Sequence, residues 1–221
     1  MKDNKKHKKA EYGILITGLI ILLAVACIIA LCAGQYSVSV PEVTKILASR
    51  FVNVTKTWSN TAEGVVFTLR LPRIIGAVLA GSALSLSGAA YQGVFKNPLV
   101  APDLLGVSSG ACVGASVAIL LHLNSFGVQA MAFVAGILAV GLTLFIPRLI
   151  KNTNMTMLVL SGIIVKGIMD SVMGIIKYVA DPETELQSIT YWQLGSLTKV
   201  LPKDLFTVGP VIVAASVIIF L

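Results

Sequence analysis

The chain carries an uninterrupted apolar run, Gly13 to Gly34, directly behind Lys2, Lys5, Lys6, Lys8 and Lys9. That length is about what an α-helix needs to cross the hydrocarbon core of a bilayer. A secretory signal shares the charged start, but its apolar core is only about 7–15 residues and ends at a small-residue cleavage site. Cys32-Ala33-Gly34-Gln35 matches such a site poorly. The run therefore reads as a retained first helix with its amino terminus in the cytoplasm. Residues 1–12 form a basic cytoplasmic segment, and 13–221 form a membrane domain.

Further apolar runs cover 74–91, 104–121, 128–146, 156–176 and 205–221. The expected fold is an all-α, polytopic bundle with about six spans. Composition agrees: 56% of the 221 residues are apolar and 12% charged, where a soluble domain has about a quarter charged. Mean hydropathy is +0.90. These values exclude a disordered chain, a collagen and a disulfide-stapled secreted module. The last run reaches Leu221 without a polar flank, which reads as a helix belonging to a longer protein.

Between the spans, residues 35–73 read as a first external segment with an amphipathic helix over 41–52. Gln92–Asp103 reads as an inner turn, and Lys177–Asp204 as a second external segment. In the latter, Gly195 and Ser196 suit a compact turn, and Trp192 suits either that turn or an interfacial anchor. The net charge of +7 does not point to nucleic acid, because the basic residues cluster at the amino terminus and between apolar runs. The inner segments hold Lys2, Lys5, Lys6, Lys8, Lys9, Lys96, Arg148 and Lys151. The outer ones hold Lys45, Arg50, Lys56, Arg70, Arg73, Lys177, Lys199 and Lys203, just as many. Orientation therefore rests on the amino-terminal lysines.

Cys27, Cys32 and Cys112 lie inside apolar runs without metal spacing, and His7 and His122 are isolated, so no metal site is expected. No phosphate-binding loop, zinc-protease or serine-hydrolase motif occurs. No cofactor is expected to be bound by this chain, and any ATP hydrolysis belongs to a partner.

Helices in lipid need close backbone approach to associate. Ala77, Gly81, Ser85 and Ala89 form one stripe at i+4 spacing, and Gly106, Gly110, Gly114 and Ala118 form another in the next span. Together they predict a tightly packed pair of adjacent helices. Lys166 and Asp170 lie deep inside a span, four residues apart on one face, and are expected to pair. A charge at that depth costs at least ~2.5 kcal/mol, so the two line either a pathway or a neutralised contact in the bundle.

The stretch Arg70–Ala111 combines Arg-Leu-Pro-Arg, a small-residue helix, Lys96-Asn97-Pro98-Leu99 and Leu-Gly-Val-Ser-Ser-Gly-Ala. With Asp181–Leu197 (DPETELQSITYWQLGSL), it resembles the FecCD-type permease subunit of iron–siderophore and cobalamin ABC importers. The resemblance implies a ten-helix permease working with a second permease subunit, an ABC ATPase subunit and an extracytoplasmic substrate-binding protein. It also implies an iron–siderophore cargo and a multi-pass cell-membrane location, with no catalysis by this chain. Arg70 and Arg73 then correspond to residues that receive glutamates of the docked binding protein; snorkelling anchors are the other reading. Asn97 and Leu99, with Asn154, Met155 and Thr156, correspond to constrictions at the cytoplasmic end; plain structural turns are the other reading. Stopping within the sixth helix departs from the family, since the segment that grips the ATPase follows it. Cobalamin or haem import by the same kind of permease stays open. So does an ion-coupled secondary transporter, for which Lys166–Asp170 is the only offering.

Overall fold

A computed structural model describes residues 2–98, 100–151 and 154–220, with side chains from Glu11 onward except that of Lys199. Among the described residues the regular structure is helical, without strands.

Helix α1 spans Lys2–Cys32. It is followed by α2, Val40–Ala48, with Pro41 in its first turn, where a missing N–H costs nothing. This is the amphipathic helix expected from sequence, and it buries Val43 and Ile46. Helix α3, Asn60–Gly64, is capped by Ser59, whose hydroxyl accepts from the Ala62 N–H at 3.0 Å. It runs without a break through a π-helical stretch, Val65–Arg70, into α4, Leu71–Phe95. The helix that carries the expected second span, 74–91, therefore starts ahead of it, at Asn60. Pro72 reads as a helix start, yet it sits inside the helix. The Leu71 N–H bonds to Val66 O, five residues back. The wider register just ahead of Pro72 accommodates a residue that donates no N–H.

After α4 the described residues are irregular until a 3-10 turn, Pro102–Leu105, and Gly106, whose φ of +73° suits glycine. Helix α5 covers only Val107–Leu120, shorter than the span expected from 104 to 121. Helices α6, Ser125–Leu149, and α7, Met155–Val179, are long enough to cross a bilayer. Helix α8, Glu185–Leu194, occupies much of the predicted outer segment 177–204, and Gly195 at φ +71° ends it in the expected turn. Helix α9 spans Pro202–Phe220. Helices α4, α5 and α6 end in left-handed residues that are not glycine: Lys96, His122 and Lys151. Basic side chains there complement the negative helix ends.

The chain divides into two compact units, residues to Ala80 with Leu197–Ala214, and Gly81–Ser196 with the residues from Ala215 on. In the first, Leu31, Val38, Val43, Ile46, Trp58, Ala62 and Val66 form a core joining the end of α1, α2 and the π-helical stretch. Glu63 accepts from Lys56 Nζ at 2.7 Å and from Trp58 Nε1 at 3.3 Å, tying down the loop between α2 and α3.

In the second unit α5 packs along α6, and the contact is set by absent side chains. A Cβ on Gly110 would lie 2.5 Å from Ala139 Cβ and 2.9 Å from Ala135 O. A Cβ on Gly114 would fall onto Met131 O. The predicted pairing of the two stripes is thus corrected: the α5 stripe serves α6. Ala77, Gly81, Ser85 and Ala89 on α4 are all exposed, and a Cβ on Gly81 would meet nothing within 4 Å among the described residues. Helix α8 lays Ile189 in a cluster with Met173 and Ile176 of α7 and Ala180 just after it. Long helices turn large apolar side chains outward, with Ile14 75% and Phe133 62% exposed. That is stable only where lipid or further protein replaces water.

Candidate functional site

Three groups of residues singled out from sequence can be placed. The first joins the end of α4 to the start of α7. Phe95, Asn97, Val100, Met155 and Thr156 border one cavity of about 370 Å³, continued along α7 by Val159 and Ile163. Asn97 is held in a turn, its N–H donating to Gln92 O at 3.2 Å and its carbonyl accepting from the Val100 N–H at 3.3 Å. Asn154 is the N-cap residue of α7, with extended backbone at φ −65° and ψ 150°. The structure therefore brings together Asn97, Met155 and Thr156, which lie far apart in sequence. Leu99 lies outside the described residues.

The second group is Arg70 and Arg73. They border a cavity of about 510 Å³ together with Gln35 and Tyr36. The Arg70 guanidinium is already committed. Nη1 donates to Leu31 O at 2.6 Å and Cys32 O at 3.1 Å, and Nη2 donates to Tyr36 O. These carbonyls lie at and just beyond the end of α1, where intrahelical partners run out, so Arg70 acts as a C-terminal cap supplied from 38 residues away. Gly34, at φ +149°, leaves room for it, since a side chain there would strike the guanidinium. Arg73 differs: its Nε is shielded from solvent and has no hydrogen-bond partner among the described residues. Arg70 spends three of its five N–H groups on these carbonyls, whereas Arg73 Nε spends none.

The third group is the intramembrane charges. Lys166 was expected to pair with Asp170, but its Nζ lies 3.9 Å from Asp103 Oδ2 instead. The cause is a close approach of backbones. Gly162 of α7 lies against Leu104 O, with no room for a Cβ, and Gly106 sits over the Lys166 amide. Thr143 of α6 donates to Leu105 O at 3.0 Å in a buried bond. The 3-10 turn is thereby wedged between α6 and α7, presenting Asp103 to Lys166. Sequence reading missed Asp103 because it placed the residue in a solvated inner turn; the shortness of the following apolar run was the available signal. Asp170 is exposed one turn further along α7.

Missed too was the contact between His122 Nε2, after α5, and Glu185 Oε1 at the start of α8, at 3.4 Å. Among the described residues, no group of histidine, cysteine and carboxylates is arranged to hold a metal ion.

Long apolar helices with an irregular segment wedged among them define a multi-pass helical membrane protein. The sequence profile of the FecCD transport family matches residues 22–221, and the chain belongs to that family. It is 32% identical to the molybdate import system permease protein of Haemophilus influenzae, over 96% of this chain and 62% of that protein. It is 39% identical to a probable iron chelatin transport system permease protein of Helicobacter pylori, over 63% of this chain and 42% of that one. It is 36% identical to the cobalamin import system permease protein of Halobacterium salinarum, over 72% of this chain and 43% of that one. A solved inward-facing transporter of metal-chelate ABC type superposes with a TM-score of 0.78 at 29% identity. That match covers 94% of this chain and 61% of the other. The chain thus spans less than two thirds of the length of these relatives.

Proposed function

We propose that this chain forms the pathway-building part of a permease subunit in an ABC importer, with iron–siderophore chelates as cargo. One observation carries the reading most: Asn97, Met155 and Thr156 border one cavity between the end of α4 and the start of α7. Two turns joined in that way can constrict or open one end of a pathway by a small movement of either helix. In this reading the chain performs no chemistry. A partner ATPase hydrolyses ATP, a second permease subunit completes the pathway, and an extracytoplasmic binding protein delivers the cargo. Arg73 receives a carboxylate of that protein, since an arginine fork grips a carboxylate in two places. Arg70 holds the platform from which Arg73 projects. The amino terminus lies in the cytoplasm.

The chelate reading draws support from the Helicobacter relative, while the Haemophilus relative, matched along more of the chain, favours molybdate as the second reading. Uptake of radiolabelled ferric siderophore, cobalamin, haem and molybdate by cells carrying the transporter with its partners separates them. Energy-dependent uptake of a ferric siderophore, lost on deletion of this gene, is the expected result. Uptake of molybdate alone overturns the chelate reading.

A further inference from the structure

The turn at Asp103 lies at an unusual depth. Lys166 is one residue from the midpoint of α7, Met155–Val179, so it stands roughly 16–20 Å from either helix end at 1.5 Å per residue. Its contact with Asp103 places the 3-10 turn Pro102–Leu105, and the start of the short α5, at that same level. Backbone that is not α-helical is tolerated at membrane depth only where protein buries it or where it lines water. Buried it is in part, through Thr143, Gly162 and Gly106, but the charges are not. The Lys166 and Asp103 side chains are 48% and 55% exposed. The exposed face of α7 continues through Gly167, Asp170 and Gly174, of which the glycines have nothing within 4 Å of an added Cβ. Irregular backbone and half-exposed charges coincide at this spot, and half-exposed charges are stable at such depth where water reaches them.

The charges at that spot do not cancel. Two carboxylates face one ammonium, and the amino end of α5, starting four residues after Asp103, adds about half a positive charge. Over these groups the sum stays negative; Lys177, two turns beyond Asp170, is engaged by Gln193. We propose that Asp103, Lys166 and Asp170 form a hydrated, net-negative station half-way along the pathway, which admits neutral or cationic cargo, such as a metal chelate, in preference to oxyanions. The inference rests on the reading of this chain as a pathway wall and adds the charge class of what passes. The three side chains act as specificity determinants, through a field that is strong because low-dielectric walls surround it.

The test uses the assembled transporter in membrane vesicles, with Cys27, Cys32 and Cys112 replaced and Gly167→Cys introduced, a position with room for the new side chain. Rates of modification by cationic and anionic methanethiosulfonate reagents are compared, each normalised to reaction with a free thiol. Thiolate fraction affects both reagents alike and drops out of the ratio. The expected result is a preference for the cationic reagent of about tenfold. Asp103→Asn with Asp170→Asn should bring the ratio to near one, and Lys166→Gln should raise it. Equal rates in the parent, or a ratio unmoved by all of these substitutions, overturn the charge station while leaving the pathway reading intact. No modification from water, with full modification after unfolding in detergent, overturns the pathway reading itself and the station with it.

Discussion

Arg70, a docking candidate by sequence, also holds the end of α1. Its carbonyl partners, Leu31, Cys32 and Tyr36, follow one another around the end of α1. Hydrogen bonds to a charged donor contribute about 1.5–3 kcal/mol each where they are shielded, and less where they are exposed. Arg70→Ala should therefore lower stability by about 2–4 kcal/mol. Arg70→Lys should recover only part, because one ammonium cannot span the set. Thermal unfolding in detergent and protease cutting in 33–39 would read this loss. An unaltered melting temperature with Arg70→Ala would remove the cap. Asp181 gives a pH-dependent case outside the spans. Its carboxylate accepts from the Thr184 hydroxyl and from the backbone N–H groups of Glu183 and Thr184, which hold its pKa below the ordinary value. A lowered folded-state pKa means a stabilisation present above the unfolded value and lost as pH falls through the folded one. The turn between α7 and α8 should thus loosen only in acid, below the ordinary carboxylate range. Amide exchange of residues 183–188 against pH checks this, and Asp181→Asn should abolish the dependence.

At the scale of elements, glycines on two helices make opposite predictions from similar sequence. On Gly114 an added methyl would land on Met131 O, a backbone atom that cannot yield without moving α6. Gly114→Ala should cost about 1–3 kcal/mol, as overpacking does. Gly81→Ala meets nothing and replaces a poor helix former, so it should be neutral or stabilise by up to about 1 kcal/mol. Paired unfolding measurements on the two variants test the assignment, and similar costs for both would contradict it. Sequence alone could not separate these stripes, because spacing marks where backbones are able to approach and not which partner approaches. The same limit explains the other differences. Apolar runs were legible as helices, since transfer to lipid depends on composition. The π-helical stretch Val65–Arg70 was not, because it depends on hydrogen-bond register, and Pro72 disguised it as a boundary. Helix α8 was hidden within a polar segment, anchored by a single buried Ile189. The candidate gate at Asn97, Met155 and Thr156 was legible through family resemblance. Asp103 was not, since its partner is fixed by the Gly162–Leu104 approach between distant segments.

For the molecule as a whole, counting basic residues left orientation evenly balanced even with the amino-terminal lysines included, and the fold supplies a further measure. Asn97 and Met155 border one cavity, so the loops that follow α4 and α6 lie at the same end of the second unit. That end carries Lys96, Arg148 and Lys151. The other end holds His122, Lys177 and three carboxylates, Asp181, Glu183 and Glu185, so the unit is itself polarised. Positive charge in short loops is retained on the cytoplasmic side. By that rule the end of the second unit with Lys96, Arg148 and Lys151 is expected on the cytoplasmic side, and in the first unit the lysines before α1 are expected there too. Replacing Lys2, Lys5, Lys6, Lys8 and Lys9 with Gln should leave most molecules correctly inserted. Adding Lys96→Gln, Arg148→Gln and Lys151→Gln should give a mixed population. Single cysteines at His122 and Lys151, introduced into a protein without its native cysteines, report this through an impermeant reagent applied to intact cells. His122→Cys should label and Lys151→Cys should not, with both labelling in part once all of the charges are gone. Labelling of Lys151→Cys alone in the otherwise unaltered protein would invert the arrangement. It would also move the cavity at Asn97 and Met155 to the outer face, where it could not serve as a cytoplasmic gate.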